Sequence, residues 1–210
     1  MQTPSTVPAG AGLPSVDLPG RLSACLARLD PADPLADGGE GIAVLIEAGA
    51  HARGRALLDA AWPRAVGGGV EARARCHLLE ALLELERGER SAAHAQLGRA
   101  LELPVEPARD PALRILRGAV GLQVALAIND LAEADEFVRD LQDASLPEVA
   151  GLLKSALALW TAELTLRKGQ VARAERLMRV LPIDTKASTE PTWKSLRLRG
   201  ELDLFRGDVD

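Results

Sequence analysis

The strongest constraint on the fold of this 210-residue chain is a series of turn residues at nearly equal spacing. These residues, which follow one another at intervals of 38 to 41, are Gly49, Gly88, Asn129, Gly169 and Gly207. Glycine and asparagine often stand just after the last turn of a helix, because they adopt a positive φ at low cost. The spacing therefore predicts repeated units of a helix, a tight turn and a second helix, about forty residues long.

The residues on both sides of these turns recur in register. The position three residues before each turn carries a large aliphatic side chain, in Ile46, Leu85, Leu126, Leu166 and Leu204. The position five residues after the turn carries a small residue, in Gly54, Ala93, Ala134 and Ala174. Larger apolar residues follow four positions later, so each second helix is predicted to have one apolar face.

Capping residues and prolines indicate where the helices begin and end. Asp110 before Pro111 is typical of a helix N-terminus, and Ser145 with Glu148 has the spacing of a capping box. Three prolines are expected to end second helices, namely Pro63, Pro104 and Pro182. The predicted pairs are 40–48 with 50–62, 70–87 with 89–103, 111–128 with 130–144 and 146–168 with 170–181, before a last helix over 190–206.

The composition favours slim, closely packed helices. Apolar residues make up 47% of the chain, but aromatic residues make up only 2%, so leucine, alanine and valine must fill the core. Sandwiches and barrels usually depend on alternating aromatic and β-branched residues, and no sustained stretch of that kind is present. We therefore expect an all-α fold. Trp62, Trp160 and Trp193 are expected in the core, although exposed tryptophans would be binding anchors.

In this arrangement the chain resembles the tetratricopeptide repeat (TPR) family, whose unit is a helix, a tight turn and a second helix, roughly 34 residues in total. The most similar stretches are 78–104 and 162–182. The resemblance covers residues 38–210 and implies a TPR-like superhelical array of antiparallel helix pairs, an α-α solenoid. The sequence departs from the family in its longer unit and in the aliphatic residues at most of the aromatic positions typical of the family.

The predicted organisation is a tail followed by one domain. Residues 1–20 are rich in proline, glycine and serine, and we expect them to form a flexible N-terminal tail. Residues 21–210 form a single TPR-like domain in this interpretation. Residues 207–209 match the opening of a further second helix, which indicates that the domain belongs to a longer protein. Alternatively, the helix over 190–206 is a terminal cap with a polar outer face.

The resemblance implies a protein–protein interaction scaffold, and we expect a regulatory or sensory module of a larger bacterial protein. In such arrays the first helices line a concave face that binds a peptide or protein. The candidate binding residues are the polar positions of the first helices that the repeat pattern leaves off the packing face. They are Glu84, Arg114, Arg117, Gln123, Lys154 and Arg197.

Charge is unevenly distributed in the second half of the chain. Residues 130–148 contain seven acidic residues and one basic residue, whereas residues 151–199 contain ten basic and four acidic residues. One interpretation is an acidic ridge beside a basic groove that holds an acidic peptide or a carboxylate terminus. The other is a set of solvated helix faces with local ion pairs, such as Glu163 with Arg167.

Two alternative functions use the same features. The basic stretch 151–199 could serve a nucleic-acid-associated or transcription-regulating repeat. The formal net charge of −5 and the lack of aromatic stacking platforms disfavour nucleic acid as a partner. Uncovered apolar faces at the ends of the array could instead form a homodimer.

The sequence contains no signature of catalysis, and we expect no enzyme activity, cofactor or metal. Phosphate-loop, dinucleotide, nucleophile-elbow and zinc-protease motifs are absent, and the glycines at 67–69 are expected to be a linker. The three histidines fall on different predicted helices, and Cys25 and Cys76 do not form a disulfide framework. The chain has few cysteines, no secretory signal and no long unbroken apolar run. The sequence therefore predicts a cytoplasmic protein without a membrane span.

Overall fold

The computed structural model of the protein describes residues 30, 33–35, 39–106, 109–143, 150–179, 198 and 200–203, with only the backbone for 150–155. Within these ranges every regular element is helical, which confirms the all-α class. The helices are α1 (Glu40–Glu47), α2 (His51–Gly68), α3 (Val70–Glu86), α4 (Arg90–Glu102), α5 (Pro111–Ile128), α6 (Leu131–Asp143), α7 (Ala150–Arg167) and α8 (Val171–Arg179). Leu198 and residues 200–203 are also helical.

Four turns of the same geometry join these helices in pairs. The turn residues have left-handed backbones, with φ of 78° at Gly49, 83° at Gly88, 64° at Asn129 and 73° at Gly169. Each turn residue donates its amide to the carbonyl three residues earlier, and the next amide donates to the carbonyl five residues before it. This Schellman motif satisfies carbonyls that a helix end leaves free. The predicted turn positions are confirmed, except for Gly207, which lies outside the described residues.

The start of α5 has the predicted capping chemistry. Asp110 has an extended backbone, and its side-chain Oδ1 accepts a hydrogen bond of 3.0 Å from the amide of Leu113. Pro111 occupies the first helical position, where a missing N–H costs nothing. The predicted bounds of α5 are therefore those observed. The capping box predicted at Ser145 and Glu148 lies outside the described residues.

The prediction that Pro63 ends a second helix is wrong. Helix α2 continues through Pro63 to Gly68, so the first two glycines of 67–69 are helical and only Gly69 links α2 to α3. A proline inside a helix removes one backbone hydrogen bond. Here Ala65 lies beyond the proline and is completely buried in the core, which favours continuation of the helix. Pro104 does follow the end of α4, whereas Pro182 lies outside the described residues.

The helices pack in a regular order. We call α1, α3, α5 and α7 the first helices and α2, α4, α6 and α8 the second helices. Each first helix contacts the second helix that follows it, and α3, α5 and α7 also contact the second helix that precedes them. Consecutive first helices contact each other as well. The main core, largely leucine, alanine and valine, extends from α1 to α7, and a smaller core joins α7 and α8 to Leu198 and Leu202.

Two of the three tryptophans contact the core. Trp160 in α7 is 8% exposed, as predicted for a core residue. Trp62 in α2 is half-buried, and its ring meets the ring of His77 edge-on at a centroid distance of 4.8 Å. Trp193 lies outside the described residues.

Two glycines allow α6 to lie close against α5. A Cβ atom added at Gly121 would be 2.4 Å from the ring of Phe137, and one added at Gly118 would be 2.7 Å from Leu141. Both distances are too short for any side chain. The absence of side chains on this face of α5 therefore creates the space that Phe137 and Leu141 fill.

Helix α5 is the one described helix that is long enough and apolar enough to cross a membrane, judged by length and composition alone. Half of it is buried against the rest of the protein. Central helices of folded domains have the same properties, so the finding is weak evidence for a membrane span.

We predict that Gly121→Ala lowers the free energy of unfolding by about 1–3 kcal/mol, because the new methyl group overlaps the Phe137 ring. Gly98→Ala is the matched control. Gly98 lies inside α4 with no atom within 4 Å of an added Cβ, so this change should stabilise the protein by about 0.5–1 kcal/mol. Urea unfolding followed by circular dichroism measures both. Equal effects of the two substitutions would contradict the close α5–α6 contact.

Candidate functional site

A stripe of small and mainly apolar residues runs along the side of α5 that faces away from α6. At about 100° per residue, one side of the helix carries Ala112, Leu116, Ala119, Gln123 and Ala127. The glycines that contact α6 are on the opposite side. Leu116, Ala119 and Ala127 are half-buried, and Ala112 is exposed. We call these five residues the α5 stripe.

Charged residues occupy some of the matching positions on the neighbouring first helices, whereas Leu78 and Leu82 in α3 and Leu159 in α7 occupy others and are buried. Counted from the turn that ends each helix, Arg75 and Glu86 are at stripe positions in α3, and Glu163 and Arg167 are at stripe positions in α7. The Arg167 guanidinium donates to Glu163 and also reaches the backbone carbonyl of Leu126 in α5. The α5 stripe therefore has charges of both signs on the helices beside it, and the predicted ion pair of Glu163 with Arg167 is present.

Glu84, one of the predicted binding residues, lies between α2 and α3 instead. Its carboxylate is 2.6 Å from Nη2 of Arg55, while Nη1 of Arg55 is 2.9 Å from Glu80. Burial lowers the pKa of Arg55, but the hydrogen bond and charge of Glu80, with the charges of Glu84 and Asp59, raise it further, so the net pKa is raised. This cluster ties α2 to α3, and Glu84 serves packing.

Arg114 also faces a second helix. Its guanidinium donates to the backbone carbonyl of Asp140 in α6 at 3.1 Å, and it lies 3.9 Å from the carboxylate of the same residue. Arg117 is half-buried, and its Nε is enclosed with no hydrogen-bond partner among the described atoms. Arg114 thus joins α5 to α6.

Gln123 is the predicted residue that lies on the α5 stripe, where it is 8% exposed. The other two predicted residues, the side chain of Lys154 and the whole of Arg197, lie outside the described residues. The four candidates with described side chains, Glu84, Arg114, Arg117 and Gln123, therefore do not come together at one place.

The apolar members of the stripe were not among the predicted binding residues. The predicted residues are polar positions of the first helices, whereas Ala112, Leu116 and Ala119 are apolar. Their spacing of four and three residues was visible in the sequence, but the same spacing also describes a buried face. Only the positions of the neighbouring helices show that this side stays partly open.

A concave feature lies where α6, α7 and α8 meet. It is a cleft of about 320 Å³ between the two second helices, with α7 as its floor. The lining residues are Asp135, Val138, Arg139, Gln142, Thr161, Leu164, Thr165, Lys168, Gln170 and Arg173. The ammonium of Lys168 is paired with Asp135. The hydroxyls of Thr161 and Thr165 donate to backbone carbonyls of α7 at 2.6 and 2.9 Å.

Acidic residues are concentrated on α6, where Asp135 lines this cleft. Burial raises the pKa of Glu133, and the charges of Asp130 and Glu136 raise it further, while His94 lowers it. Acidic side chains are thus crowded at the start of α6. Since Lys168 and Arg167 each have a carboxylate partner, local ion pairs account for part of the uneven charge distribution.

The described residues contain no group of three His, Cys, Asp or Glu side chains placed to hold a metal ion. Cys76 is a free, fully buried cysteine, and Cys25 lies outside the described part of the chain. Burial raises the pKa of the Cys76 thiol to about 11, with a smaller contribution from the charge of Glu80. A neutral, enclosed thiol of this kind is a poor nucleophile.

We predict that Arg55→Met lowers the free energy of unfolding by about 1–3 kcal/mol, because it leaves the two half-buried carboxylates without their cation. Arg53→Met, an exposed change on the same helix, should cost less than about 0.5 kcal/mol. Adding Glu80→Gln and Glu84→Gln to the Arg55 variant should recover part of the loss. A loss of the same size in the Arg53 variant would contradict the packing role of the cluster.

The Cys76 thiol should resist modification in the folded protein. In a Cys25→Ser background, about one thiol in a thousand is ionised at pH 8, given a pKa of about 11. A chromogenic disulfide reagent should therefore react far more slowly in buffer than in denaturant, and the rate should still rise with pH above about 9, where an ordinary thiol is already ionised. Fast reaction of the folded protein at pH 8 would show that Cys76 is accessible.

No family model matches the sequence, and no match was found among the curated proteins or the solved structures.

Proposed function

We propose that the protein is a protein-interaction module, a TPR-like array in which the first helices present the α5 stripe to a polypeptide segment. The observation that carries this proposal is the α5 stripe itself, because its apolar residues remain partly open at the centre of three contacting first helices. An apolar centre surrounded by polar residues is typical of protein-binding surfaces.

The regular order of contacts supports a repeat array as the scaffold of this surface. Each pair of helices is closed by the same Schellman turn, and each first helix contacts the next one. In such arrays, the side of the first helices that faces away from the second helices forms one extended surface. The α5 stripe lies on that side.

The chemistry of the surface favours a particular kind of partner. An apolar segment with charged residues of both signs would contact Leu116 and Ala119 at its centre and the charges of α3 and α7 at its borders. A nucleic acid is less suitable, because Arg167 and Lys168 are each paired with a carboxylate and add little to a phosphate-binding surface. Interaction modules of this kind fit a regulatory role within a larger assembly.

Selection of peptides on the full chain tests the proposal. The immobilised protein is screened against a random peptide library, and the affinity of each enriched peptide is measured by fluorescence polarisation. Ala112→Arg places a bulky cation on the stripe and should weaken binding at least about tenfold. Ala95→Arg is the matched control, since Ala95 is an exposed alanine of second helix α4, and it should change the affinity less than about twofold.

Light scattering on the same variants separates a foreign partner from a second copy of the chain. A monomer at all concentrations, with binding sensitive only to Ala112→Arg, supports the proposal. Equal sensitivity of peptide binding to both substitutions would contradict it. A dimer that Ala112→Arg dissociates would make self-association the role of the stripe.

A further inference from the structure

We call the region between two successive second helices a junction. The three junctions have equivalent backbones but different side chains. Each junction includes two residues of the first helix that lies between the two second helices, namely those eight and four positions before the turn that ends this first helix. Between α2 and α4 these are Glu80 and Glu84, which the Arg55 side chain bridges. The first junction is thus closed by an ion-pair cluster.

The second junction, between α4 and α6, is closed by an aromatic ring. The equivalent positions in α5 are Gly121 and Ala125, and the Phe137 ring lies where a side chain of Gly121 would stand. Both residues of α5 are buried. Two different solutions, one ionic and one apolar, therefore fill the same place in successive repeats.

The third junction, between α6 and α8, is not filled in this way. Thr161 and Thr165 occupy the equivalent positions, and the cleft of about 320 Å³ lies over them. The position of Arg55 is taken by Asp135, which pairs with Lys168 at the edge of the cleft. The volume is at the lower end of the range for small-molecule sites.

The cleft has a net positive lining. Arg139 on α6, Lys168 in the turn before α8 and Arg173 on α8 contribute three cations against the single carboxylate of Asp135. The lining also includes two aliphatic residues, Leu164 on α7 and Val138 on α6. A ligand in this cleft would therefore meet positive charge beside a small aliphatic surface.

Two of these cations have only weak neutral acceptors. Among the described residues, neither Arg139 nor Arg173 lies within 4.0 Å of a carboxylate oxygen. Arg139 Nε donates to the backbone carbonyl of Asp135 at 3.4 Å, and Arg173 Nη1 donates to Gln170 Oε1 at 3.4 Å. Arginine forms its strongest bonds as a planar pair of donors to a carboxylate or phosphate. Both arginines line the cleft, Arg139 from α6 and Arg173 from α8.

We propose that the α6–α7–α8 cleft binds a small organic monocarboxylate with a short aliphatic body. The carboxylate lies between Arg139 and Arg173, and the aliphatic body rests on Leu164 and Val138. This site lies on the side of α7 that faces the second helices, so it is separate from the α5 stripe and does not depend on a polypeptide partner.

The surroundings select against more highly charged anions. Glu136, Asp140 and Asp143 share a shallow depression with Arg139 on the outer side of α6. Their charges oppose a phosphate or a polyanion more strongly than a single carboxylate. Leu164 and Val138 also offer no contact that would favour an inorganic ion over an organic one.

Titration of the ¹⁵N-labelled full chain with 4-methylpentanoate tests the proposal. Saturable shifts are expected for amides of α6, of the turn at 168–170 and of α8, with a dissociation constant on the order of 10 mM or below for a ligand of this size. The uncharged 4-methylpentanamide should bind at least about tenfold more weakly, because it lacks the charge-assisted bonds. Inorganic phosphate should also bind more weakly than the carboxylate.

Matched variants locate the site. Arg139→Gln and Arg173→Gln should each weaken 4-methylpentanoate binding at least about fivefold. Arg176→Gln, which removes an exposed arginine of α8 outside the cleft, should leave it within about twofold. Circular dichroism and the thermal midpoint verify that each variant is folded.

Four results would overturn the proposal. They are the absence of saturable shifts, equal affinity for the acid and its amide, tighter binding of phosphate, and equal affinity of the Arg139 and Arg176 variants. A peptide with a C-terminal leucine that binds more than about tenfold more tightly than 4-methylpentanoate would assign the cleft to a polypeptide instead.

Discussion

The left-handed turn residue at the end of each first helix is the constraint on which the rest of the structure depends. A positive φ at Gly49, Gly88, Asn129 and Gly169 reverses the chain within two residues. The accompanying hydrogen bonds fix the reversal and satisfy the helix end. Each second helix packs against the first helix that precedes it, and the apolar faces of the two helices meet. Asn129 fulfils this role because asparagine tolerates the left-handed region better than other residues with a side chain.

Once the backbone repeats, side chains are free to differ at equivalent positions. The junctions between second helices contain an arginine with two glutamates, then a phenylalanine over a glycine, then two threonines beneath a cleft. The first of these arrangements is a partly exposed ion-pair cluster, and the second is a buried aromatic contact. Divergence of this kind keeps the packing of the array while it changes the chemistry of each surface.

The two sides of the first helices have different chemical characters as a result. The α5 stripe has a mainly apolar centre, with charges on the neighbouring helices. The α6–α7–α8 cleft is small and cationic, and it is lined by two arginines that have no carboxylate partner among the described residues. Because the stripe and the cleft lie on opposite sides of the first helices, a partner on one does not occupy the other.

Local sequence determined the helices, their turns and the repeat. Three local features were sufficient to predict them, because caps and turns depend on neighbours in the chain. They are glycine or asparagine at a spacing of about forty residues, Asp110 before Pro111, and the aliphatic residues around each turn. Pro63 shows the limit of such reasoning, since the burial of Ala65 keeps α2 intact beyond it.

Only the tertiary structure decided which side chains remain open. Glu84 and Arg114 look like exposed polar residues in the sequence, yet each bonds to a second helix. The partners of Glu84 and Arg114 lie 29 and 26 residues away in the chain. The α5 stripe and the unfilled junction at Thr161 and Thr165 depend likewise on how neighbouring helices are placed. Periodicity shows that residues share a face, but exposure depends on what packs against that face.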